Sequence, residues 1–278
     1  MDITRPTLAA LATALTFTFA STTSATGGTV EPHQKSEAER AGIAQEGDAF
    51  MGWNNPAEPK RSSSQTSPGR AAAASVEGID VSKWQGNVDW KAQWGLGHRF
   101  AYVKATEGTY NKSATFAQQY NGSHDVGMIR GAYHFANPTD SSGSVQADYF
   151  VKNGGGWSSD GKTLPGVLDI EWNPYEGNDC WDMSASAMVS WIKSFTARYK
   201  TLTGRDAVIY TNTNWWKQCT GNSSAFAKNP LWIARYNSTV GTLPAGWSTY
   251  TFWQYTDTPM DQDVFNGDLT RLKALAKG

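Results

Sequence analysis

Residues 166–172 read Gly166-Val167-Leu168-Asp169-Ile170-Glu171-Trp172. Val167, Leu168 and Ile170 spell a short buried strand, yet two carboxylates stand two residues apart at its end. Burying an ionised carboxylate without a partner costs several kcal/mol, so the pair requires something around it. In an extended chain residues i and i+2 share a face, which turns Asp169 and Glu171 one way and Ile170 the other.

Six further runs repeat this layout: GIDVS at 78–82, FAYVKAT at 100–106, IRGAYHFA at 129–136, DAVIYTN at 206–212, PLWIARY at 230–236 and TFWQYT at 251–256. Each is rich in β-formers and ends in polar groups: Asp80, Lys104 with Glu107, His134 with Asn137, Tyr210 with Asn212, Arg235, and Gln254. Between several of them lie stretches of helical spacing. Within 184–204, Met188, Trp191, Ile192, Phe195 and Tyr199 recur every three or four residues. Alternating strands and helices predict an α/β fold with a parallel sheet. An open sheet of this kind gathers ligands at one switch point, whereas a closed barrel brings every strand's C-terminal end to one mouth. Polar residues at all the strand ends favour a TIM-like β/α barrel. Short connections late in the chain make it irregular, with some helices missing between the later strands.

Across the 278 residues, 24 Lys+Arg stand against 25 Asp+Glu, a net charge of -1. No general field draws such a chain to nucleic acid or to an anionic membrane surface. Residues 1–25 combine Arg5, an apolar stretch interrupted by Thr13, Thr16 and Thr18, and small residues, which reads as a secretory signal peptide and not a membrane span. Residues 26–76 are rich in Gly, Ser, Ala and Gln and lack sustained apolar periodicity; they read as a disordered linker or pro-segment. Within them SEAERAGIAQEGDAFMGW, 36–53, has the makings of a short helix. Residues 77–278 are then the catalytic barrel. The two cysteines, Cys180 and Cys219, are an even count in an exported chain and so predict a disulfide. His33, His98, His124 and His134 have no zinc-ligand spacing, and no nucleotide- or cofactor-binding motif occurs, so neither metal nor cofactor is expected.

Two carboxylates at a barrel mouth suit glycoside hydrolysis, which needs one protonated acid for the leaving oxygen and one anion for the positive charge developing on the sugar. Their proximity supplies that difference, because like charges side by side resist double ionisation. Taken alone, the pair would equally serve a Mg²⁺ or Ca²⁺ site, or ion pairs with Lys104 or Arg235. Aromatic residues crowd the same strand ends: Trp84, Tyr102, Tyr133, Trp172, Tyr210, Trp253 and Tyr255. Flat apolar rings beside polar donors suit sugar faces.

The segments GIDVSKWQGNVDW, FAYVKATEG, GAYHFANP, GVLDIEW, VIYTN, LWIARY, FWQYT and DQDVFNG, in this order from Gly78 to the C-terminus, resemble the glycoside hydrolase family 25 lysozymes, muramidases of the Chalaropsis type. The signal peptide and the cysteine pair predict a secreted, extracellular protein, expected to be a monomer; the resemblance implies an enzyme. It would cut the β-1,4 bond between N-acetylmuramic acid and N-acetylglucosamine in peptidoglycan glycan strands, 6-O-acetylated muramic acid included. It places the catalytic acids at Glu171, the general acid, and at Asp169, Asp80 and Asp261, the last preferred to Asp263. Candidate sugar contacts are Tyr102, Tyr133, Trp172, Tyr210, Trp253 and Gln254. A chitinase-like hexosaminidase would want an acid where Val167 stands. A silent glycan-binding barrel would have lost one of the four acids.

Overall fold

The computed structural model describes residues 37–54 and 75–278. The signal peptide read at 1–25, and residues 26–36 and 55–74 of the stretch that follows it, lie outside the described residues. In chain order the elements are α1 (Glu37–Arg40), β1 (Val76–Val81), α2 (Trp90–Gly95), β2 (Phe100–Glu107), β3 (Asn111–Lys112), α3 (Phe116–Asp125), β4 (Ile129–Phe135), α4 (Gly143–Phe150), β5 (Val167–Asp169), α5 (Ala185–Thr203), β6 (Val208–Thr211), α6 (Thr213–Thr220), β7 (Leu231–Ala234), β8 (Phe252–Thr256), β9 (Gln262–Phe265) and α7 (Leu269–Lys277). Residues 37–54 belong to the same compact unit as the barrel.

The sheet runs β1-β9-β8-β7-β6-β5-β4-β2, and β1 also pairs with β2, which closes it into an eight-stranded barrel; β3 adds a short antiparallel ribbon to the end of β2. Neighbours are parallel from β1 through β2 and β4 to β8, while β9 runs antiparallel between β8 and β1. Among the described residues no helix joins β7 to β8 or β8 to β9, the irregularity that the short late connections predict. All seven sequence-read runs contain strands. Strand β9 is the addition within the barrel and β3 the addition outside it; the pairing of β9 with β8 is offset between Gln254 and Thr256.

Strand alternation sorts the apolar residues into two shells. Tyr102, Tyr133, Val167, Val208, Tyr210, Trp232, Phe252 and Phe265 fill the barrel, and Leu272 and Ala276 of α7 join them. Ile79, Val81, Ala101 and Val103 face outward onto Trp90 and Met128, while Leu168 and Ile209 pack towards Phe150, Ile192 and Phe195 of α4 and α5. Gly131 sits opposite Tyr102 in the ladder, and a Cβ there would press into the Tyr102 ring, 2.6 Å from Cδ1. Glycine is what lets that ring lie across the barrel.

Helix α5 starts at Ser184, whose hydroxyl accepts from the Ala187 amide, and stops at Gly204 with φ 75°. Its Tyr199 hydroxyl accepts the Gly166 amide at 2.6 Å, anchoring the entry to β5. The exit from β5 is fixed from another side. Cys180 and Cys219 form the predicted disulfide, with Cα atoms 5.2 Å apart, and tie the loop after β5 to α6. In that loop the Asn178 side chain accepts from the amides of Cys180 (2.8 Å) and Asp182 (3.1 Å), and the Trp181 indole donates to the Glu171 carbonyl at 2.9 Å.

His134 does not reach the mouth. It points outward, with Nδ1 2.8 Å from Thr106 Oγ1 and Nε2 2.9 Å from Gln146 Oε1, and its ring stacks on Phe195. Burial pushes its pKa down to about 4.

Three measurements test this account. Gly131→Ala is expected to destabilise the fold by about 1–3 kcal/mol in denaturant unfolding, because the barrel is overpacked at Tyr102. Replacing both cysteines by serine opens a 39-residue separation and is expected to cost roughly 4 kcal/mol in the chain-entropy account. His134 is neutral in the fold down to about pH 4, whereas the unfolded chain takes up its proton near pH 6.5. Its contribution is therefore intact above pH 6.5 and lost as the pH falls towards 4, by up to about 3 kcal/mol. His134→Gln should flatten the decline of stability across that interval.

Candidate active site

Five carboxyl groups converge inside one end of the barrel. Asp80 comes from β1, Asp169 from the end of β5, Glu171 from just beyond it, and Asp261 and Asp263 from the start of β9. Asp80, Asp169, Glu171 and Asp263 are at most 1% exposed, and Asp261 is 7% exposed. Because β9 runs antiparallel, it brings its N-terminal end to the mouth where the other strands bring their C-terminal ends. Alternation then turns Asp261 and Asp263 to the same side.

The cluster resolves into two proton-sharing pairs. Oδ1 and Oδ2 of Asp169 and Oε2 of Glu171 receive no hydrogen bond from the rest of the described structure, and the two carboxyls hydrogen-bond to each other. Two carboxylates are acceptors only, so one of the pair carries a proton. Burial raises Glu171 well above the carboxylate range. The Asp169 charge and the bond to Asp169 raise it further, against a lowering by the Gly52 amide. Asp169 is likewise raised well above its usual range by burial and by the Asp80 charge, against lowering by the same bond and by Lys104. The proton is therefore favoured on Glu171, the member of the pair that both the shared bond and the neighbouring charge raise. Deeper in, Asp80 is pushed up to about 7 by burial, against the lowering bonds from Gln254 and Asp263. Asp263 is raised well above its usual value by burial, by the charges of Asp80 and Asp261, and by its bond to Asp80.

Neutral donors support the deeper pair. Gln254 Nε2 donates to Asp80 Oδ2 at 2.8 Å, and its Oε1 accepts the Tyr210 hydroxyl at 2.6 Å. Trp232 Nε1 donates to Asp263 Oδ1 at 3.1 Å. The Tyr236 hydroxyl lies 3.0 Å from the same Gln254 Oε1. Beside this cluster, buried Lys104 pairs with Glu107 at 2.5 Å, and Glu107 also accepts from Tyr110 at 3.0 Å and from Tyr175.

The sequence-read residues separate accordingly. The structure brings together Asp80, Asp169, Glu171 and Asp261, with Tyr133, Tyr210 and Gln254 on the floor and wall of the mouth. Trp172 flanks it, following Glu171 in the chain. Tyr102 belongs elsewhere: it lies towards the opposite end of the barrel, its hydroxyl donating to the Pro165 carbonyl at 3.0 Å and its ring against Trp232 and Phe252. Trp253 faces outward, packed between Tyr250 and Tyr255, because its neighbour Gln254 takes the inward position. Asp263, set second to Asp261 in the sequence reading, is the carboxyl that contacts Asp80. Sequence reading missed Tyr236 and the Glu107 grouping with Tyr110 and Tyr175. Tyr236 follows Arg235, the polar residue that drew attention at the end of β7, and Glu107 was read only as a strand-end charge.

A family profile of glycosyl hydrolases family 25 matches residues 79–264. Lysozyme M1 of Streptomyces globisporus is 47% identical over 241 residues, covering 83% of this chain and 82% of that protein. An N,O-diacetylmuramidase of Arthroderma benhamiae is 50% identical over 210 residues, covering 74% of this chain and 88% of its own. Among solved structures, the muramidase from Acremonium alcalophilum superposes with a TM-score of 0.72 at 57% identity, over 73% of this chain and 99% of that one. With the barrel topology, the ordered motifs and the acidic mouth, these matches establish that the chain belongs to glycosyl hydrolase family 25.

Proposed function

We propose that this protein is a secreted muramidase that hydrolyses the β-1,4 bond between N-acetylmuramic acid and N-acetylglucosamine in bacterial peptidoglycan. The observation that carries the reading is the buried, adjacent pair of Asp169 and Glu171 at the mouth of a family 25 barrel, where the shared bond favours the proton on Glu171. Glu171 gives its proton to the glycosidic oxygen and, once ionised, activates the incoming water. Asp169 orients and polarises the substrate's 2-acetamido group as it approaches the anomeric carbon. Asp80 and Asp261 hold sugar hydroxyls or water across the cleft, with Asp263 and Gln254 fixing Asp80. Tyr133, Tyr210 and Trp172 offer ring faces to the sugars. The Cys180–Cys219 bridge supports export to an oxidising compartment. Acceptance of 6-O-acetylated muramic acid is part of the proposal, supported by similarity to proteins bearing the name N,O-diacetylmuramidase.

Turnover of purified peptidoglycan by Glu171→Gln is expected to fall by about 10²–10⁴-fold, the usual worth of a positioned acid; near wild-type turnover sinks the assignment. The pH dependence checks the partner. Asp169 favours the protonated form of Glu171, so its removal lowers the Glu171 pKa. The alkaline limb of the residual activity of Asp169→Asn should therefore move to lower pH than that of the wild type, and an unmoved limb contradicts the pairing.

A further inference from the structure

Residues 43–53 lie across the mouth just described. Five of the six residues from Gly47 to Gly52 are buried. Met51 is fully buried and enters the interior cluster with Tyr133, Tyr210 and Trp232. Backbone groups make most of the polar contacts. The Gly47 amide donates to Glu107 Oε1 at 2.8 Å, the Ala49 carbonyl accepts from Lys104, and the Gly52 carbonyl accepts from the Tyr236 hydroxyl at 3.0 Å. The Gly52 amide donates to Glu171 Oε1 at 2.7 Å. Farther out, the Trp53 indole donates to the Trp172 carbonyl at 3.1 Å. On the other flank Asp48 pairs with Lys83, and its carbonyl accepts the Trp84 indole at 2.8 Å.

The sequence of the segment suits this path. Gly47 and Gly52 have φ of 92° and 77°, the left-handed region that favours glycine. A Cβ on Gly52 would stand 2.5 Å from Gln254 Oε1 and 2.8 Å from the Tyr210 hydroxyl, and closer still to the Tyr236 hydroxyl. The Asp48 carboxylate also holds the preceding turn, accepting from the amides of Ala44 (3.1 Å) and Gln45 (3.2 Å).

The contact at Glu171 opposes catalysis in a specific way. A glycosidic oxygen must accept the proton of Glu171, so the substrate presents an acceptor there. Gly52 presents a donor to Oε1 while Oε2 faces Asp169, and a donor favours the ionised carboxylate, the wrong state for a general acid. Met51, meanwhile, fills the space between the tyrosines.

We propose that the acidic mouth is a binding site for an extended peptide, residues 43–53 of this chain, and that the chain in this form is held inactive until the segment leaves. The proposal rests on the reading of Glu171 as the acid. It treats the segment as a pseudo-substrate whose carbonyls take the donors Lys104 and Tyr236 and whose amides take the acceptors Glu107 and Glu171. A segment tethered in the same chain faces its site at an effective concentration on the order of millimolar, so even modest intrinsic affinity keeps the mouth filled.

Three proteins test it: the full chain, the full chain with Gly52→Val, and a chain of residues 75–278. The last is a reasonable unit because the solved Acremonium alcalophilum muramidase is a folded barrel whose chain is matched almost throughout by 73% of this one. On purified peptidoglycan, Gly52→Val and 75–278 are expected to turn over at least tenfold faster than the full chain. A synthetic peptide of residues 41–54 should bind 75–278 by calorimetry and inhibit it competitively with glycan. A full chain as fast as 75–278 overturns the proposal, whatever Gly52→Val does. If 75–278 binds the peptide yet leaves peptidoglycan uncut, the muramidase reading fails while the binding site stands.

Discussion

The proton shared by Asp169 and Glu171 is the interaction on which the rest of the mouth depends. Two ionised carboxylates in contact and out of water would repel each other at a cost the fold could not readily offset. Placing one proton between them removes half the charge and gives Glu171 Oε2 and one of the Asp169 oxygens a partner. The same economy recurs deeper in the barrel at Asp80 and Asp263, where Gln254 and Trp232 supply the remaining donors. A single acid that must stay protonated is thus maintained by a layered arrangement of neighbouring side chains.

Because those neighbours come from β1, β5, β6, β7, β8 and β9, the arrangement exists only once the barrel has closed. The shells on either side of the sheet hold each strand in rotation. Tyr199 fastens the start of β5, and Trp181, held by the loop that the disulfide restrains, fastens the Glu171 carbonyl at its end. The acid pair is therefore gripped from both directions along the chain. Stability and chemistry share these contacts, so substitutions outside the mouth can alter the site without touching substrate.

Much of this was legible in the sequence. Seven strands announced themselves because each couples an apolar run to a polar end, and Asp169 and Glu171 stood out because two buried charges at i and i+2 have no place in an ordinary strand. Strand β9 escaped because its inward residues are Asp263 and Phe265, so the hydrophobic alternation that marks a strand is broken by a carboxyl. Tyr102 and Trp253 were assigned to sugar because sequence shows that a ring lies in a strand but not how far along the barrel it sits, nor which parity the strand has adopted. Parity is decided at β8 by Gln254, which bonds Asp80 and so sends Trp253 outward. Residues 47–52 carry little apolar periodicity because their packing is made by glycines, one methionine and backbone groups, and such contacts leave almost no trace in composition.

The antiparallel course of β9 makes two of the five acids hostage to register. Asp261 and Asp263 face inward only while Gln262 and Val264 face outward, and a slip of one residue would exchange the sets, setting an amide and an aliphatic chain where the carboxyls now stand. A four-residue strand has little alternation of its own to resist that slip. Its alignment comes from being clasped on both edges, by β1 across Val76 to Ile79 and by β8 with its offset at Gln254 and Thr256. Strand β9 thus completes the acidic site by taking its alignment jointly from β1 and β8, strands far apart in the chain.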